Sequence, residues 1–388
     1  LIDYNFTKGV NHLVFHTFSH TPQTNVYPGS SFGGNIGFPF VREQTWWPYM
    51  KDWTNYLSRN QYMLQQGEYV ADVLRYYGDH FERPPFDLDY FPKGYRFDYL
   101  NNEILTTKLS VVNGKIHVKD AGNYRLITLR DSKEILLSTI KKLKELVLNG
   151  AVILGDKPLD SPSLMDNEKD LLTLSSIANQ LWGDTEKGVK KVGKGKVYWG
   201  MTVDQVLKAE QITPDVIVPK ELDIKWIHRE TPDAHIYYIA SRSDKPVDAA
   251  LSFRITGHSP QLWNAFNGET KDINIWSNTN GRTNIALSFA PSDSHIIVFT
   301  KENKKPLASK VEHNNHVILN TKLGWFKTHD QSNYKGISWA NKNMITSKPG
   351  EYKFYTTNNL VKSHTITVKE TELSKDWNLE FELGWDNP

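Results

Sequence analysis

The sequence predicts a multidomain chain of α/β plus β class: the end of a (β/α)8 barrel, a small α/β domain, then β-sandwich domains. Three observations carry that prediction. At 388 residues the chain exceeds the size, about 250 residues, past which single cores stop growing. Its opening residues follow the rhythm strand, long loop, helix, strand, in which βα units gather their loops at the carboxyl ends of strands. Beyond Glu221 the pattern turns to short strand candidates separated by turns. The domains predicted are 1–90 for the end of the barrel, 91–220 for the α/β domain, 221–302 for a sandwich, and 303–388 for a further β-rich accessory domain cut short at its end.

"HLVFHTF", starting at His12, is apolar and rich in β-formers, and reads as a buried strand that stops before His20. The loop after it holds Pro22, Pro28, Gly29, Gly33, Gly34, Gly37 and Pro39, and a loop this long without regular structure is more often functional than idle. "TWWPYMKDWTNYLSRNQYMLQQG" then reads as an amphipathic helix. Trp46, Met50, Trp53, Leu57 and Leu64 share one side, Thr45 suits the N-cap, Pro48 the first turn and Gly67 the stop. "YVADVLRYYG" reads as the next buried strand of the barrel.

In the α/β domain "KIHVK" is a short strand bounded by turn residues, and "DSKEILLSTIKKLKELVLNG" a helix. Asp131 and Glu134 stand at capping-box spacing, Leu136, Ile140, Leu143 and Val147 form the apolar face with Ile135 at its edge, and Gly150 ends it. "AVILGD" is a buried strand. The "GKGK" run lacks Walker A spacing and no Gly-x-Gly-x-x-Gly occurs, which excludes those nucleotide-binding loops. Strand candidates then follow in "DIKWIHR", "HIYYIASRS", "DAALSFRI", "QLWNAFNG", "DINIWSN", "TNIALSFAP" and "SHIIVFT".

Composition removes several function classes. Lys+Arg 46 against Asp+Glu 44 gives +2, no global attraction for nucleic acid, and the basic runs do not alternate with aromatic residues as a single-strand groove would. With Cys 0 there is no disulfide framework, thiolate metal site or cysteine nucleophile. No run approaches about 18 apolar residues and no basic-then-apolar leader opens the chain, so neither a membrane span nor a signal peptide is expected, and the chain reads as a processed or truncated piece. Trp 12, Tyr 18 and Phe 17 are the clearest bias, and such rings serve equally as core filling or as flat surfaces against which sugars stack.

Arg42 and Glu43 in "FVREQTWW" are either a solvated ion pair near a helix start or a carboxylate at the mouth of a sugar site, where Trp46 and Trp47 would desolvate it. Glycoside hydrolysis normally takes two carboxyl groups, one protonating the leaving oxygen and the other activating water or attacking directly. No second acidic residue of comparable setting stands near Glu43. His12, His16 and His20 lack a His-Glu-x-x-His pattern and a cysteine for zinc; hydrogen bonds to sugar hydroxyls suit His16 and His20 better, with simple packing as the alternative. His228 and Arg229 in "WIHRETPD" are either an ordinary strand end or an edge leaning over the barrel mouth.

"FVREQTWW", "RNQYMLQQG" and "VADV" together resemble glycoside hydrolase family 106, the large bacterial α-L-rhamnosidases, whose members show Asn-Arg-Asn-Glu/Asn-Thr-Trp-Trp and Arg-x-Gln-Tyr-Leu-Leu-Gln-Gln-Gly at these places. "GVNHLVFHTFSH" is similar to a late barrel strand, and the resemblance runs over roughly residues 5 to 300. It implies inverting hydrolysis of terminal rhamnosyl linkages in polysaccharides, with Glu43 as general base, Arg42, Trp46 and Trp47 lining the sugar site, and His16 and His20 touching substrate hydroxyls. It also implies calcium, no organic cofactor, a general acid supplied by an N-terminal remainder of the same protein, and a periplasmic or secreted bacterial location. Val41 stands where the family has its first Asn, and Gln44 breaks the usual order. Two other readings remain: another barrel glycosidase of β-galactosidase type, and a non-catalytic carbohydrate-binding protein.

Overall fold

A computed structural model of the chain describes residues 2–16, 18–22, 27–30, 40–79, 91–129, 132–273, 276–301, 308–320, 337–340, 343–346, 348–356 and 360–369. The expectations at Asp131, at Gly33, Gly34, Gly37 and Pro39, and beyond residue 369 lie outside them. The chain is a mixed α/β protein with many strands in several sheets and few helices.

Helix α1 (Ile2–Phe6) buries Phe6 edge-on against Tyr238, with ring centroids 5.6 Å apart. The "HLVFHTF" stretch is not the buried strand its composition predicts: its described residues form no strand, and Val14, Phe15 and Phe18 are exposed. A strand exists only where a neighbour completes its hydrogen-bond ladder, and here side chains take that part. Leu13 N–H donates to Gln61 Oε1 at 2.7 Å, and the Asn11 carbonyl accepts from Gln65 Nε2 at 2.6 Å.

Both glutamines belong to or follow helix α2 (Met50–Leu64), entered through a 3-10 turn (Trp47–Tyr49) that holds Pro48 at its start. Thr45 does not cap it; Trp46 stands at the N-cap of the turn without a side-chain bond. The buried face is Tyr56, Leu57, Asn60, Met63 and Leu64, rotated from the predicted one, and Trp53 is exposed. Tertiary contacts select this face. The Tyr56 hydroxyl donates to Asp3 Oδ1 at 2.6 Å and lies 2.9 Å from Ser294 Oγ, tying the helix to α1 and to a distant sheet. Gly67, with φ +58°, turns the chain out of the helix, and a Cβ there would stand 2.0 Å from the Glu230 carbonyl oxygen.

Strand β1 (Glu68–Tyr69) follows at once, then β2 (Val73–Tyr76). The sequence reading gave Val73–Tyr76 to the barrel segment, but it pairs in parallel on both sides within the α/β sheet. That sheet is built from β3 (Phe97–Leu100), helix α3 (Asn102–Lys108), a three-stranded side meander β4 (Leu109–Val112), β5 (Lys115–Val118) and β6 (Gly122–Tyr124), then β7 (Leu126–Leu129), helix α4 (Leu137–Asn149), β8 (Val152–Leu154), helix α5 (Glu168–Leu181), the hairpin β9 (Gly188–Val192) and β10 (Gly195–Trp199), and helix α6 (Val203–Ala209). Its strand order is β3-β2-β7-β8-β10-β9, parallel except for β9. Helices cover both faces, as a parallel sheet requires. Leu74 and Ile127 pack with α4 and α5 residues such as Leu143 and Leu174, while their neighbours Val73 and Leu126 pack with Val206 and Leu207 of α6. The "GKGK" run is the tight turn of the β9–β10 hairpin.

From Val216 onward the described residues form antiparallel sheets. One has the order β1-β12-β13-β19-β15-β16 and the other β11-β14-β18-β17, made of β11 (Val216–Ile217), β12 (Ile224–Glu230), β13 (Ala234–Ser241), β14 (Val247–Phe253), β15 (Ser259–Trp263), β16 (Thr270–Asp272), β17 (Trp276–Thr279), β18 (Arg282–Phe289) and β19 (Ser294–Thr300). Alternate residues of both sheets, among them Trp226, Tyr237 and Phe299 from the first and Leu251, Phe253 and Ile285 from the second, share one apolar core. The opposite face of the first sheet, with Ile227, Ile236 and Tyr238, packs on α1 and α2. The last described strands are β20 (Ala308–His313), β21 (His316–Asn320), β22 (Ile337–Ala340), β23 (Asn343–Thr346), β24 (Gly350–Thr356) and β25 (Val361–Ile366), in one sheet of four and one of two. No helix among the described residues is long and apolar enough to cross a membrane.

Candidate active site

Glu43 lies just before the 3-10 turn that starts α2, in a short turn closed by Gln44 N–H donating to the Val41 carbonyl at 3.2 Å. Val41 is buried, and this apolar anchor at the position where the resemblance has an Asn pins the turn inward. Glu43 is only 6% exposed. Its Oε1 stands 2.8 Å from Arg42 Nε, and the Arg42 side chain is 63% exposed. One partner of this pair is therefore desolvated while the other keeps most of its water. That is neither a surface pair of two solvated groups nor a fully buried bridge.

Aromatic residues precede and follow the turn in the sequence and pack on one another. Phe40 meets Trp46 edge-on at 5.8 Å and stacks within 2° of parallel to Trp53 at 6.3 Å, and Phe15 lies against Phe40 and Trp53 at 4.9 and 5.3 Å. Trp47 follows Trp46 at 6.5 Å and is partly exposed. The two predicted tryptophans thus belong to one aromatic cluster with Phe40, whose members lie on either side of Glu43 in the sequence. Flat apolar rings beside a carboxylate offer stacking for a sugar's C–H face and an acceptor for its hydroxyls or for water. His16 and His20 are exposed on the irregular segment that carries Phe15.

His228 and Arg229 are elsewhere. His228 is 3% exposed inside the double-sheet core, its Nδ1–H donating to Asp215 Oδ2 at 2.8 Å, its Nε2 3.1 Å from His235 Nδ1, its ring stacked on Tyr237 at 4.0 Å. Arg229, pointing to the other face of β12, donates to the carbonyls of Gln66 and Gly67 at 2.6 and 2.5 Å. It closes the carboxyl end of α2, and the 15 residues of that helix put about 22 Å between it and the end nearer Glu43. Neither residue reaches over the aromatic cluster. Both had looked polar and exposed because the strand end in the sequence gives no sign of what covers it.

Two residues beside Glu43 drew no functional reading from sequence. Gly29, φ +83°, lies so close that a Cβ there would stand 3.0 Å from Glu43 Cβ. Gln44 donates from Nε2 to the Pro28 carbonyl at 2.8 Å. The Pro-Gly pair was the available signal, since it marks a turn with a positive φ.

No three His, Asp or Glu side chains converge among the described residues in a way that could hold a metal ion.

The family model for glycoside hydrolase 106, described as alpha-L-rhamnosidase, matches residues 1–277. The chain belongs to glycoside hydrolase family 106. A curated protein of Formosa agariphila, named "Putative beta-glucuronidase", is 31% identical over 317 residues, which make up 80% of this chain and 26% of that protein. The solved rhamnosidase from Novosphingobium sp. PP1Y matches with a TM-score of 0.72 at 29% identity, covering 79% of this chain and 29% of its own. This family 106 chain therefore spans between a quarter and a third of the length of either relative. A beta-galactosidase from Bacillus circulans sp. alkalophilus reaches a TM-score of 0.41 at 8% identity, over 68% of this chain and 46% of its own, too loose a likeness to bear on function.

Proposed function

We propose that this family 106 chain is part of an inverting α-L-rhamnosidase that removes terminal rhamnosyl groups from polysaccharides, with Glu43 as the general base. The observation that carries the reading is the buried Glu43 carboxylate, paired to a solvent-facing Arg42 on a turn bracketed in sequence by Phe40 and Trp46 of the aromatic cluster. Glu43 would take a proton from water as the oxygen attacks the anomeric carbon, while a carboxylic acid protonates the departing oxygen. That acid would come from the remainder of a longer protein, a view supported by the 26% and 29% shares of the two relatives that the chain covers. A separation of about 6.5–9.5 Å between the two carboxyl groups would accompany inversion, and about 5–5.5 Å retention. Arg42, Trp46 and Trp47 would line the sugar, with His16 and His20 at its hydroxyls.

On the same reading residues 2–69 are the end of a (β/α)8 barrel, β2 to α6 the small α/β domain, β11 to β19 a β-sandwich, and β20 onward an accessory β domain. Calcium, if the enzyme uses it, would be held outside the described residues, and the protein would work in the periplasm or outside the cell.

The test is Glu43→Gln in the full-length protein, assayed on an aryl α-L-rhamnoside with an aryl β-D-glucuronide in parallel. Turnover on the rhamnoside is expected to fall by about 100-fold or more with KM little changed, the usual scale for losing a general base. Near-normal rhamnoside turnover overturns the base assignment, and activity confined to the glucuronide overturns the substrate.

A further inference from the structure

The backbone of residues 27–30 does not merely pass Glu43; it closes one side of it. An ideal Cβ on Gly29 would stand 3.0 Å from Glu43 Cβ, 3.2 Å from Val41 Cγ2 and 3.3 Å from Glu43 Oε2. Arg42 Nε meets the other oxygen, Oε1, at 2.8 Å. The carboxylate is thus held between a guanidinium on one side and a bare stretch of main chain on the other. Glycine suits the place, both for that tight clearance and for its φ of +83°.

The 27–30 segment is fixed at two points. Gln44, the residue after Glu43, donates from Nε2 to the Pro28 carbonyl at 2.8 Å, and Ser30 N–H donates to Thr21 Oγ1 at 3.2 Å. The first bond matters most, because it ties the peptide unit preceding Gly29 to the turn that carries the carboxylate. We propose that Gln44 is a positioning residue: by clasping the Pro28 carbonyl it presses the Gly29 backbone onto Glu43 and sets the direction in which the carboxylate faces its water. The proposal rests on Glu43 being the general base. General-base catalysis depends on the acceptor oxygen meeting its proton within hydrogen-bond reach, and a displacement of about 1 Å can cost about 100-fold. On this proposal Gln44 acts on kcat through the angle of its neighbour.

The experiment uses the full-length protein and an aryl α-L-rhamnoside, with four variants: Gln44→Met, which keeps the length and removes the donor; Gln44→Lys, which restores a donor of similar reach; Glu43→Gln; and the Gln44→Met, Glu43→Gln double variant. Gln44→Met is expected to lower kcat by about 10- to 100-fold with KM within about twofold and an unfolding midpoint close to wild type. Gln44→Lys is expected to recover most of kcat, and the double variant to be no slower than Glu43→Gln alone, since the clamp has nothing left to aim. Full activity in Gln44→Met with Glu43→Gln inactive overturns the positioning role and leaves the base. Near-normal activity in Glu43→Gln overturns both. A Gln44→Met loss that Gln44→Lys does not rescue, or that persists in the double variant, assigns Gln44 to local folding or to substrate instead and overturns the proposal.

Discussion

Asp215 and His228 face each other at 2.8 Å in the interior of the double-sheet unit, where the Asp215 carboxylate accepts from the imidazole through Oδ2 and from the Tyr237 hydroxyl through Oδ1 at 2.8 Å. Burial alone would push the Asp215 carboxyl up, but the facing His228 charge and bond, then Arg254 and the Tyr237 hydroxyl, hold it below the ordinary carboxylate range. The pair lies buried in the interior of that double-sheet unit.

His228→Ala is accordingly expected to act on stability. Removing the imidazole leaves Asp215 Oδ2 without that partner while Tyr237 still bonds Oδ1, a loss of about 1–3 kcal/mol. Urea unfolding of the full-length protein reads that loss, while KM for an aryl rhamnoside stays within about twofold in the folded fraction. A large rise in KM without loss of stability would return His228 to the substrate.

His235 supplies the pH dependence. Burial, then the charges of His228 and His258, lower it from 6.5 to about 4, against an opposing pull from Asp215, and Glu230 lies 4.0 Å from its Nε2. The folded value is below the unfolded one, so between them the unfolded chain binds a proton the folded chain refuses. Stability is full above about 6.5 and declines as pH falls toward about 4. Unfolding midpoints measured across that interval should slope downward with acid, and His235→Gln should flatten the slope. An unchanged slope in the variant would assign the acid sensitivity to other groups.

Arg229→Met keeps the apolar stem and removes both donors from the carbonyls of Gln66 and Gly67. The cost should be about 1–2 kcal/mol in denaturant unfolding, the scale of one or two charge-assisted bonds to a helix end. Because about 22 Å of helix intervenes, kcat should hold. A selective fall in kcat at unchanged stability would contradict the placement.

Much of the architecture could be read from pattern alone. The strands from Ile224 to Thr300 announce themselves by alternation and turn residues, and Ile140, Leu143 and Val147 mark the buried face of α4. The structure sends His228 and Arg229 to opposite faces of β12, as alternation along a strand requires, although the sequence reading took them together. What pattern could not supply was anything closed by a distant partner. The N-terminus of α4 is the plainest instance. Local sequence offered Asp131 and Glu134, but Glu134 sits in an isolated bridge to Asp160, and it is Asp79 that accepts the Leu136 N–H at 2.9 Å. Asp79 Oδ1 also accepts from Asn102, Thr139 and Tyr76, at the carboxyl end of β2 where open parallel sheets keep ligands. The Glu43 turn shows the same limit: adjacent residues reveal Arg42 and Trp46, while Gly29 reaches the carboxylate only through the fold.

Between Gly67 and Tyr76 the chain leaves α2, lends Glu68 and Tyr69 to the edge of the antiparallel sheet opposite Glu230 and Arg229, and then enters the parallel sheet as β2. Asp72, midway, accepts from Arg254 Nη2 at 2.8 Å, so even this short crossing is bolted to the far sheet. Three structural units are thus stitched within a single decade of residues. Cutting the chain anywhere in this decade would part a helix from the two sheets it is fastened to, so α2, which follows the Glu43 turn, should be inseparable from both sheets when the chain is dissected into fragments.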